Sequence, residues 1–469
     1  MRKDLHSTVA LLLKAIFYSV VTAIFFALYS LEQPWLLRLS RTTGVTLVTF
    51  GVLIITLATS YGGFAIGKNK SRPIMYNMII ATAITDVISS LQLSIMNTHS
   101  GYKKIFTFIA SPVVLMMVFS TQIVFIVLFT YFSNNLYFRL KAPEKSCIIT
   151  NSEADAKEII SKISRFKRQY TITEVVRSDA KDIKQVINRN ETVFIYEIPL
   201  KERNTIITYC YGLMKNIYYN FEICDIVSYG SKPFVIDDKA LVSAEINGLT
   251  LPQRFIKRLL DLMISIASLI LASPIMLVCA IAIKLEDGGK VFFKQKRATI
   301  NGKTFNVFKF RTMKEENSVN KSVTVDDDRI TKVGAILRKF RVDELPQIIN
   351  IIKGDMSVVG PRPEMLENVK KYTSELPEFS YRLRVKAGLT GYAQIAGKYN
   401  TTPKDKLMMD LMYIEKYSIW QDIKLIFQTV TVFLKSEQST EAFGTDSDDN
   451  ANSAEELGEF NNAQSNKEE

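Results

Sequence analysis

The stretch Leu262–Ile283, LMISIASLILASPIMLVCAIAI, decides how the rest of the chain is placed. It is long and apolar enough to span a bilayer, which takes ~20 residues. Its flanks are basic on both sides: Arg254, Lys257 and Arg258 precede it, and Lys284, Lys290, Lys294, Lys296 and Arg297 follow. The positive-inside rule therefore wants both ends in the cytoplasm, and a segment that enters and returns satisfies this. Pro274, in the middle, lacks an amide hydrogen and crowds the carbonyl of Ile270, so it breaks the helical ladder where a turn-back needs it. Ser268 or Ser273 can bond the freed carbonyls. The expectation is a proline-broken re-entrant helix over 256–284; a kinked fifth span is the alternative.

Upstream lie four more apolar stretches, Ala15–Leu31, Thr43–Ile66, Ile74–Met96 and Ile105–Phe132, each of spanning length. They predict a four-helix transmembrane bundle over 1–140. The connector Lys68-Asn69-Lys70-Ser71-Arg72 is basic, as are Arg139 and Lys141 after the fourth stretch, while Arg38, Arg41, Lys103 and Lys104 dilute the asymmetry. The bias places the N-terminus and everything after residue 135 in the cytoplasm. No small-residue cleavage site follows the first stretch, so a removed leader is not expected.

Between 146 and 236, short apolar runs (Cys147–Ile149, Thr192–Tyr196, Ile223–Val227) alternate with amphipathic stretches such as Ala154–Phe166 and Asp182–Asn188. This is the rhythm of a Rossmann-like α/β domain. Its first strand runs into Thr150-Asn151-Ser152-Glu153 with no glycine, so the backbone cannot approach a pyrophosphate and a structural or regulatory role is expected. A linker over 237–253 leads to a mainly helical α/β region, 254–435. There Asn301-Gly302-Lys303 marks a hairpin turn, and helices are expected over Ile330–Phe340, Leu345–Lys353, Pro363–Ser374, Pro403–Tyr417 and Trp420–Lys435. The tail, 436–469, holds ten Asp or Glu against Lys467 alone and reads as disordered.

Composition narrows the chemistry. The chain of 469 residues is 47% hydrophobic with a net charge of +12, and the acidic tail hides +21 in the first 435 residues. Beside so much apolar sequence, anionic lipid and phosphate fit this excess better than nucleic acid. The two histidines, His6 and His99, sit near the N-terminus, which excludes histidine triads and histidine-rich metal sites downstream. The four cysteines show no C-x-x-C spacing, against structural zinc or a disulfide framework. Carboxylates, Lys, Arg and Tyr must carry any catalysis.

Three spots offer such groups. In Arg338-Lys339-Phe340-Arg341-Val342-Asp343-Glu344-Leu345-Pro346 two carboxylates stand beside several cations, and Pro346 suits a first helical turn. An ionised Asp there can attack phosphorus or hold a hard cation such as Mg²⁺; alone, the motif also reads as an ordinary charged helix start. In Gly360-Pro361-Arg362-Pro363 the two prolines fix Arg362 in an extended conformation, a rigid aim that suits bidentate phosphate binding and equally a plain turn. Lys309-Phe310-Arg311 puts two cations on one strand face, either for a diphosphate or as a solvated edge.

From about Arg254 to Leu434 the chain resembles the bacterial sugar transferases, monotopic polyprenyl-phosphate hexose-1-phosphate transferases. The resemblance rests on FIKRLLDLMISIASLILASP, VFFKQKRATINGKTFNVFKFRTM, DDDRITKVGAILRK, DELPQIINIIKGDMSVVGPRPE, RVKAGLTGYAQIAG and LDLMYIEKYSIWQDIKLI. The N-terminal architecture resembles the family's large subgroup. The resemblance implies transfer of sugar-1-phosphate from a UDP-sugar to undecaprenyl phosphate at the cytoplasmic membrane, releasing UMP and starting exopolysaccharide, capsule or O-antigen assembly. It implies Asp343 as nucleophile, Glu344 in support, Arg338 and Arg362 on phosphates, and Mg²⁺ on the diphosphate. Pro361, Pro363, Lys309 and Arg311 join the substrate site, Asp343 is the metal ligand, Ser273-Pro274 is the membrane break, and a homodimer is one oligomeric option.

Three positions depart from the family pattern: Arg341 stands where a small hydroxyl residue is usual, Thr299 where glycine is, and Ala387 where proline is. A competing reading is a non-catalytic membrane scaffold or sensor of polysaccharide assembly. A transferase with its site among the spanning helices is disfavoured, since Asp86 is the chief acidic residue there.

Overall fold

A computed structural model describes residues 2–67, 70–96, 112–244, 249–313, 329–397 and 401–434. The acidic tail, His99 and the pair Lys103-Lys104 lie outside the described residues. The chain forms two compact units that divide between Asn220 and Phe221. Five helices are long and apolar enough to cross a membrane, four in the first unit and one in the second, and they mark a multidomain membrane protein.

The first unit opens with α1 (Arg2–Tyr29), α2 (Arg41–Ser60), α3 (Ser71–Met96) and α4 (Pro112–Leu140). They fall on the four expected stretches, but α2 ends at Ser60, short of Ile66, α4 continues beyond Phe132 to Leu140, and residues 105–111 of the fourth expected stretch lie outside the described residues. Aromatic side chains fill the bundle: Phe17 stacks on Phe64 with centroids 4.4 Å apart, and Phe25 meets Phe50 at 4.7 Å. Outward, Leu12, Val48, Val52, Met116 and Leu128 stay exposed, as lipid-facing positions do.

After α4 comes a four-stranded parallel sheet of order β2-β1-β3-β4, from β1 (Glu144–Ile149), β2 (Tyr170–Val176), β3 (Thr192–Ile195) and β4 (Asn216–Tyr219). The two-residue period of the strands sorts their side chains to opposite faces. Ile148 and Phe194 pack with Ile160 and Ile163 of α5 (Glu153–Ser164). Cys147, Ile149, Val193 and Ile195 pack with α6 (Ile183–Arg189) and α7 (Leu200–Gly212). Helices thus cover both faces, as a parallel sheet requires.

The expectation of a strand over Ile223–Val227 is wrong. These residues form α8 (Ile223–Gly230), whose Ile226 enters the core of the second unit. The run has apolar residues at helical as well as strand spacing. Asp225 decides for the helix, accepting the Glu222 N–H at 2.9 Å and closing a capping box. A hairpin follows, β5 (Lys232–Ile236) with β6 (Lys239–Ser243), placing a strand where a linker was expected.

The long helix α9 (Leu251–Asp287) starts on a Thr250–Gln253 capping box and stops at Gly288, whose φ of 73° is left-handed. Pro274 lies inside it, and the Ser273 hydroxyl donates to the Ile270 carbonyl at 2.8 Å, the acceptor that Pro274 cannot serve. Its first turns are fastened by polar side chains. Arg258 donates to the Ile351 and Ile352 carbonyls, each at 2.7 Å, and Asp261 accepts from Ser357 Oγ at 3.0 Å and the Val358 N–H at 2.9 Å. Lys257 pairs with Asp422 at 2.6 Å, while the Tyr413 hydroxyl donates to the same carboxylate at 2.7 Å. Its last turns pack Cys279 and Ile283 on Phe310 and Leu337, and Asp287 pairs with Arg311.

The remaining elements are β7 (Phe292–Ala298), β8 (Thr304–Phe310), α10 (Lys332–Lys339), α11 (Gln347–Lys353), β9 (Ser357–Val359), α12 (Leu366–Glu375), β10 (Gly388–Thr390), α13 (Tyr392–Ala396), α14 (Pro403–Glu415) and α15 (Ile419–Leu434). β7 and β8 form the expected hairpin, turning at Asn301 and Gly302 with φ of 57° and 70°. Met356, Val358, Phe379, Leu407 and Leu411 lie in the core of this unit.

Candidate active site

One 3₁₀ turn, Val342–Glu344, carries both carboxylates of interest. It is entered through Arg341 in the left-handed region, φ 53°, with no side-chain cap, as follows when arginine replaces a small hydroxyl residue. α11 begins at Gln347, two residues later than expected, so Asp343 and Glu344 stand just ahead of the helix.

The two carboxylates are treated differently. Glu344 Oε1 is held by Lys309 Nζ at 2.9 Å, from the end of β8, and by Arg362 at 2.7 Å, from the loop after β9. Burial alone would raise the Glu344 carboxyl, but Arg362 and Lys309 outweigh it and hold the group well below the usual carboxylate range. No other side chain hydrogen-bonds or ion-pairs with the Asp343 carboxylate among the described residues, and its own backbone N–H is the one donor to it there. Burial pushes its carboxyl up, Lys309 pulls it back, Glu344 pushes it further, and Arg338 pulls it back again. Arg338, from the end of α10, is braced by a 2.9 Å bond from its Nε to the Thr312 hydroxyl. Lys309, Arg338, Arg362, Asp343 and Glu344 therefore converge, as the family resemblance implied. Arg311 does not join them, because its side chain is committed to Asp287 at the end of α9.

The loop presenting Arg362 is held by its own backbone. The Pro361 carbonyl accepts from the Gly388 N–H at 2.9 Å, Arg362 from Arg382 at 2.9 Å, Pro363 from Arg297 at 3.2 Å and Glu364 from the Ala298 N–H at 3.4 Å. Four successive carbonyls are thus engaged, which fixes the backbone from which the Arg362 guanidinium reaches Glu344. Gly360 and Gly388 permit the close strand approach: a Cβ on Gly388 would come within 2.1 Å of Gly360 N.

Arg382 is the residue that motif reasoning missed. Its side chain is 4% exposed and pairs with Asp410 at 2.8 Å, with Glu364 at 3.8 Å. Asp410 sits on the buried stripe Leu407, Asp410, Leu411, Ile414 of α14, and a lone carboxylate on an apolar stripe was the available signal. Burial pushes its carboxyl up to about 6 in spite of Arg382.

No group of three or more His, Cys, Asp or Glu side chains able to hold a metal ion occurs among the described residues. Asp343 alone still suits Mg²⁺, which often takes one or two carboxylates plus substrate phosphates, and its lack of a bonded cation leaves it available.

Residues 252–436 match the family described as bacterial sugar transferase. A UDP-N-acetylgalactosamine-undecaprenyl-phosphate N-acetylgalactosaminephosphotransferase of Aeromonas hydrophila is 38% identical over 185 residues, 38% of this chain and 44% of that protein. A UDP-glucose:undecaprenyl-phosphate glucose-1-phosphate transferase of Caulobacter vibrioides is 38% identical over 190 residues, 39% of this chain and 71% of that protein. The exopolysaccharide production protein ExoY of Rhizobium meliloti is 34% identical over 226 residues, 45% of this chain and 96% of that protein. The chain spans less than half the length of the Aeromonas protein and nearly all of the Rhizobium one. This chain belongs to the bacterial sugar transferase family.

Proposed function

We propose that the chain is a phosphoglycosyl transferase that moves sugar-1-phosphate from a UDP-sugar to undecaprenyl phosphate, releasing UMP. The observation that carries this is the unequal pair: Glu344 is neutralised by two cations, while the adjacent Asp343 is half-buried, without an ion-pair partner, and raised. A carboxylate so placed is a nucleophile with little solvent to shed. Asp343 attacks the phosphorus next to the sugar, and the bond from that phosphorus to the UMP oxygen breaks. An oxygen of undecaprenyl phosphate then attacks the same phosphorus, giving the lipid diphosphate sugar and freeing Asp343. Arg338 and Arg362 hold phosphoryl oxygens, and Lys309 and Glu344 keep the turn in place. Asp343 and the diphosphate would hold Mg²⁺, which would supply charge neutralisation. The names of the relatives, one for N-acetylgalactosamine and one for glucose, support the reaction class and leave the sugar to be measured.

In this reading α9 enters and leaves the membrane by the cytoplasmic face. A straight helix of its 37 residues would reach about 55 Å. Both its ends instead rest on one packed body, the first turns on α11 and β9 and the last on β8 and α10, and Asn350 of α11 in turn accepts the Phe308 N–H of β8 at 2.9 Å. The parallel sheet of the first unit is read as a Rossmann-like domain without a nucleotide. Where a phosphate would approach, beyond the end of β1, Asn151 accepts from the Ser178 hydroxyl, which also bonds Glu202 of α7, so the protein's own carboxylate is linked to that loop. UMP release from UDP-glucose, UDP-galactose and their N-acetyl forms, with membranes and Mg²⁺, tests the assignment. Asp343→Asn should abolish release while the protein stays folded; release at the parent rate sinks the nucleophile role.

A further inference from the structure

The proposed reaction assigns nothing to Asp410, a carboxylate 1% exposed among Leu407, Leu411 and Ile414 on the buried stripe of α14. Burying a charge costs free energy, and a helix packed by its apolar face has no need of one. What Asp410 meets is Arg382, on the 3₁₀ segment Pro377–Arg384, whose Nη2 lies 2.8 Å from Asp410 Oδ2. Arg382 is enclosed in turn. Its Nη2 donates to the Arg362 carbonyl at 2.9 Å, its Nη1 stands 3.8 Å from Glu364 Oε1, and its guanidinium carbon lies 4.9 Å from the centre of the Phe379 ring. Lys406, one turn before Asp410, brings its Nζ to 3.9 Å from the same Glu364 oxygen.

The contacts run from α14 through Arg382 to the backbone of Arg362, and from there along the Arg362 side chain to Glu344 at 2.7 Å, the residue beside Asp343. A guanidinium is a flat fork, so neighbours at its edges and face settle its rotation as well as its place. Asp410, Glu364 and Phe379 surround this one and leave Nη2 aimed at the carbonyl. Stability alone is a poor account of the pair, because apolar residues of similar volume often replace a buried ion pair without loss. Aim is the better account. The carbonyl belongs to the peptide joining Arg362 to Pro363, whose ring already restricts Arg362 to extended backbone, so the bond from Arg382 sets where the Arg362 side chain starts.

We infer that Asp410 is a positioning residue for the transfer: it orients Arg382, which sets the backbone of Arg362 and so directs the Arg362 guanidinium to Glu344 and to the phosphoryl oxygens beside Asp343. The inference rests on the transferase reading. Replacing the pair by apolar residues, Asp410→Leu with Arg382→Met, should leave the thermal midpoint of the full chain in lipid nanodiscs at or above the parent value, while kcat/KM for UMP release falls about tenfold or more. On an Arg362→Ala background the same double change should cost less than about twofold, since no guanidinium is left to direct. An equal fold-loss on both backgrounds, or a parent-like kcat/KM, would overturn the inference. Asp410→Asn keeps the side-chain shape and covers the case in which the double variant fails to fold. The amides of Gly388 and Ala298, which donate to the Pro361 and Glu364 carbonyls at 2.9 and 3.4 Å, should exchange hydrogen faster in Asp410→Asn while the rest of the chain exchanges as in the parent. Unchanged exchange at both amides rejects the inference as well. A parent chain that releases no UMP from any UDP-sugar ends the transferase reading instead, and the exchange measurement, which needs no turnover, still reports whether Asp410 holds the loop.

Discussion

Asp343 and Glu344 show how position within one turn separates two identical functional groups. Glu344 gives its charge to Lys309 and Arg362, whereas Asp343 keeps its own under partial burial, opposed by the fields of Lys309 and Arg338. Because the raised carboxyl must be ionised to attack, the acid limb of the kcat/KM profile should lie above the ordinary aspartate value of 3.8. Arg338→Gln removes a cation that lowers that pKa, so the limb should move to higher pH and activity near neutrality should fall. A pH series of UMP release checks both, and an unmoved limb would separate Arg338 from Asp343. The cluster was legible because its members lie in short runs dense in charge. Arg382 and Asp410 were not, since nothing local links a cation on the 3₁₀ segment Pro377–Arg384 to an acid on a distant helix.

Among the elements, the β7–β8 hairpin was readable from Asn301-Gly302, whose left-handed backbone only such residues adopt easily. α8 was misread because helix and strand periods coincide over five apolar-rich residues and a side-chain cap breaks the tie. Two departures from the family pattern turn out to touch. The Thr299 hydroxyl accepts the Ala387 N–H at 3.2 Å and donates to the Asp355 carbonyl at 3.1 Å. Glycine at the first position would supply no hydroxyl, and proline at the second no N–H. Thr299→Val should cost about 1–3 kcal/mol by leaving buried groups unpaired. Thr299→Gly with Ala387→Pro should cost less than the two singles added, with a coupling above about 0.5 kcal/mol. Thermal unfolding of the four proteins measures this, and simple additivity would show the contact to be incidental.

Across the whole molecule, every proposed catalytic residue lies beyond Leu251, and the Rhizobium relative is matched over 96% of its length. A chain starting near Leu251 should therefore bind membrane and keep some transferase activity, and loss of lipid association would assign the anchoring to α1–α4. The orientation of α9 is open to a direct test. Pro274→Leu restores an amide hydrogen and an unbroken apolar run, while the basic flanks still oppose crossing, so mixed topology and reduced activity are expected. A single cysteine at Asn301 in a cysteine-free background, probed with an impermeant thiol reagent on intact cells, should stay unlabelled when Pro274 is present; efficient outside labelling would end the re-entrant reading. The fork of Arg258 on the carbonyls of Ile351 and Ile352 has a mechanical consequence. In the re-entrant reading it would tie the depth of α9 to α11, and so to the turn immediately before it, much as a float arm ties a valve to a water level. The altitude of Asp343 above the lipid phosphates would then be a length counted in helical turns of about 5.4 Å, and a thicker or thinner bilayer would raise or lower the proposed nucleophile with it.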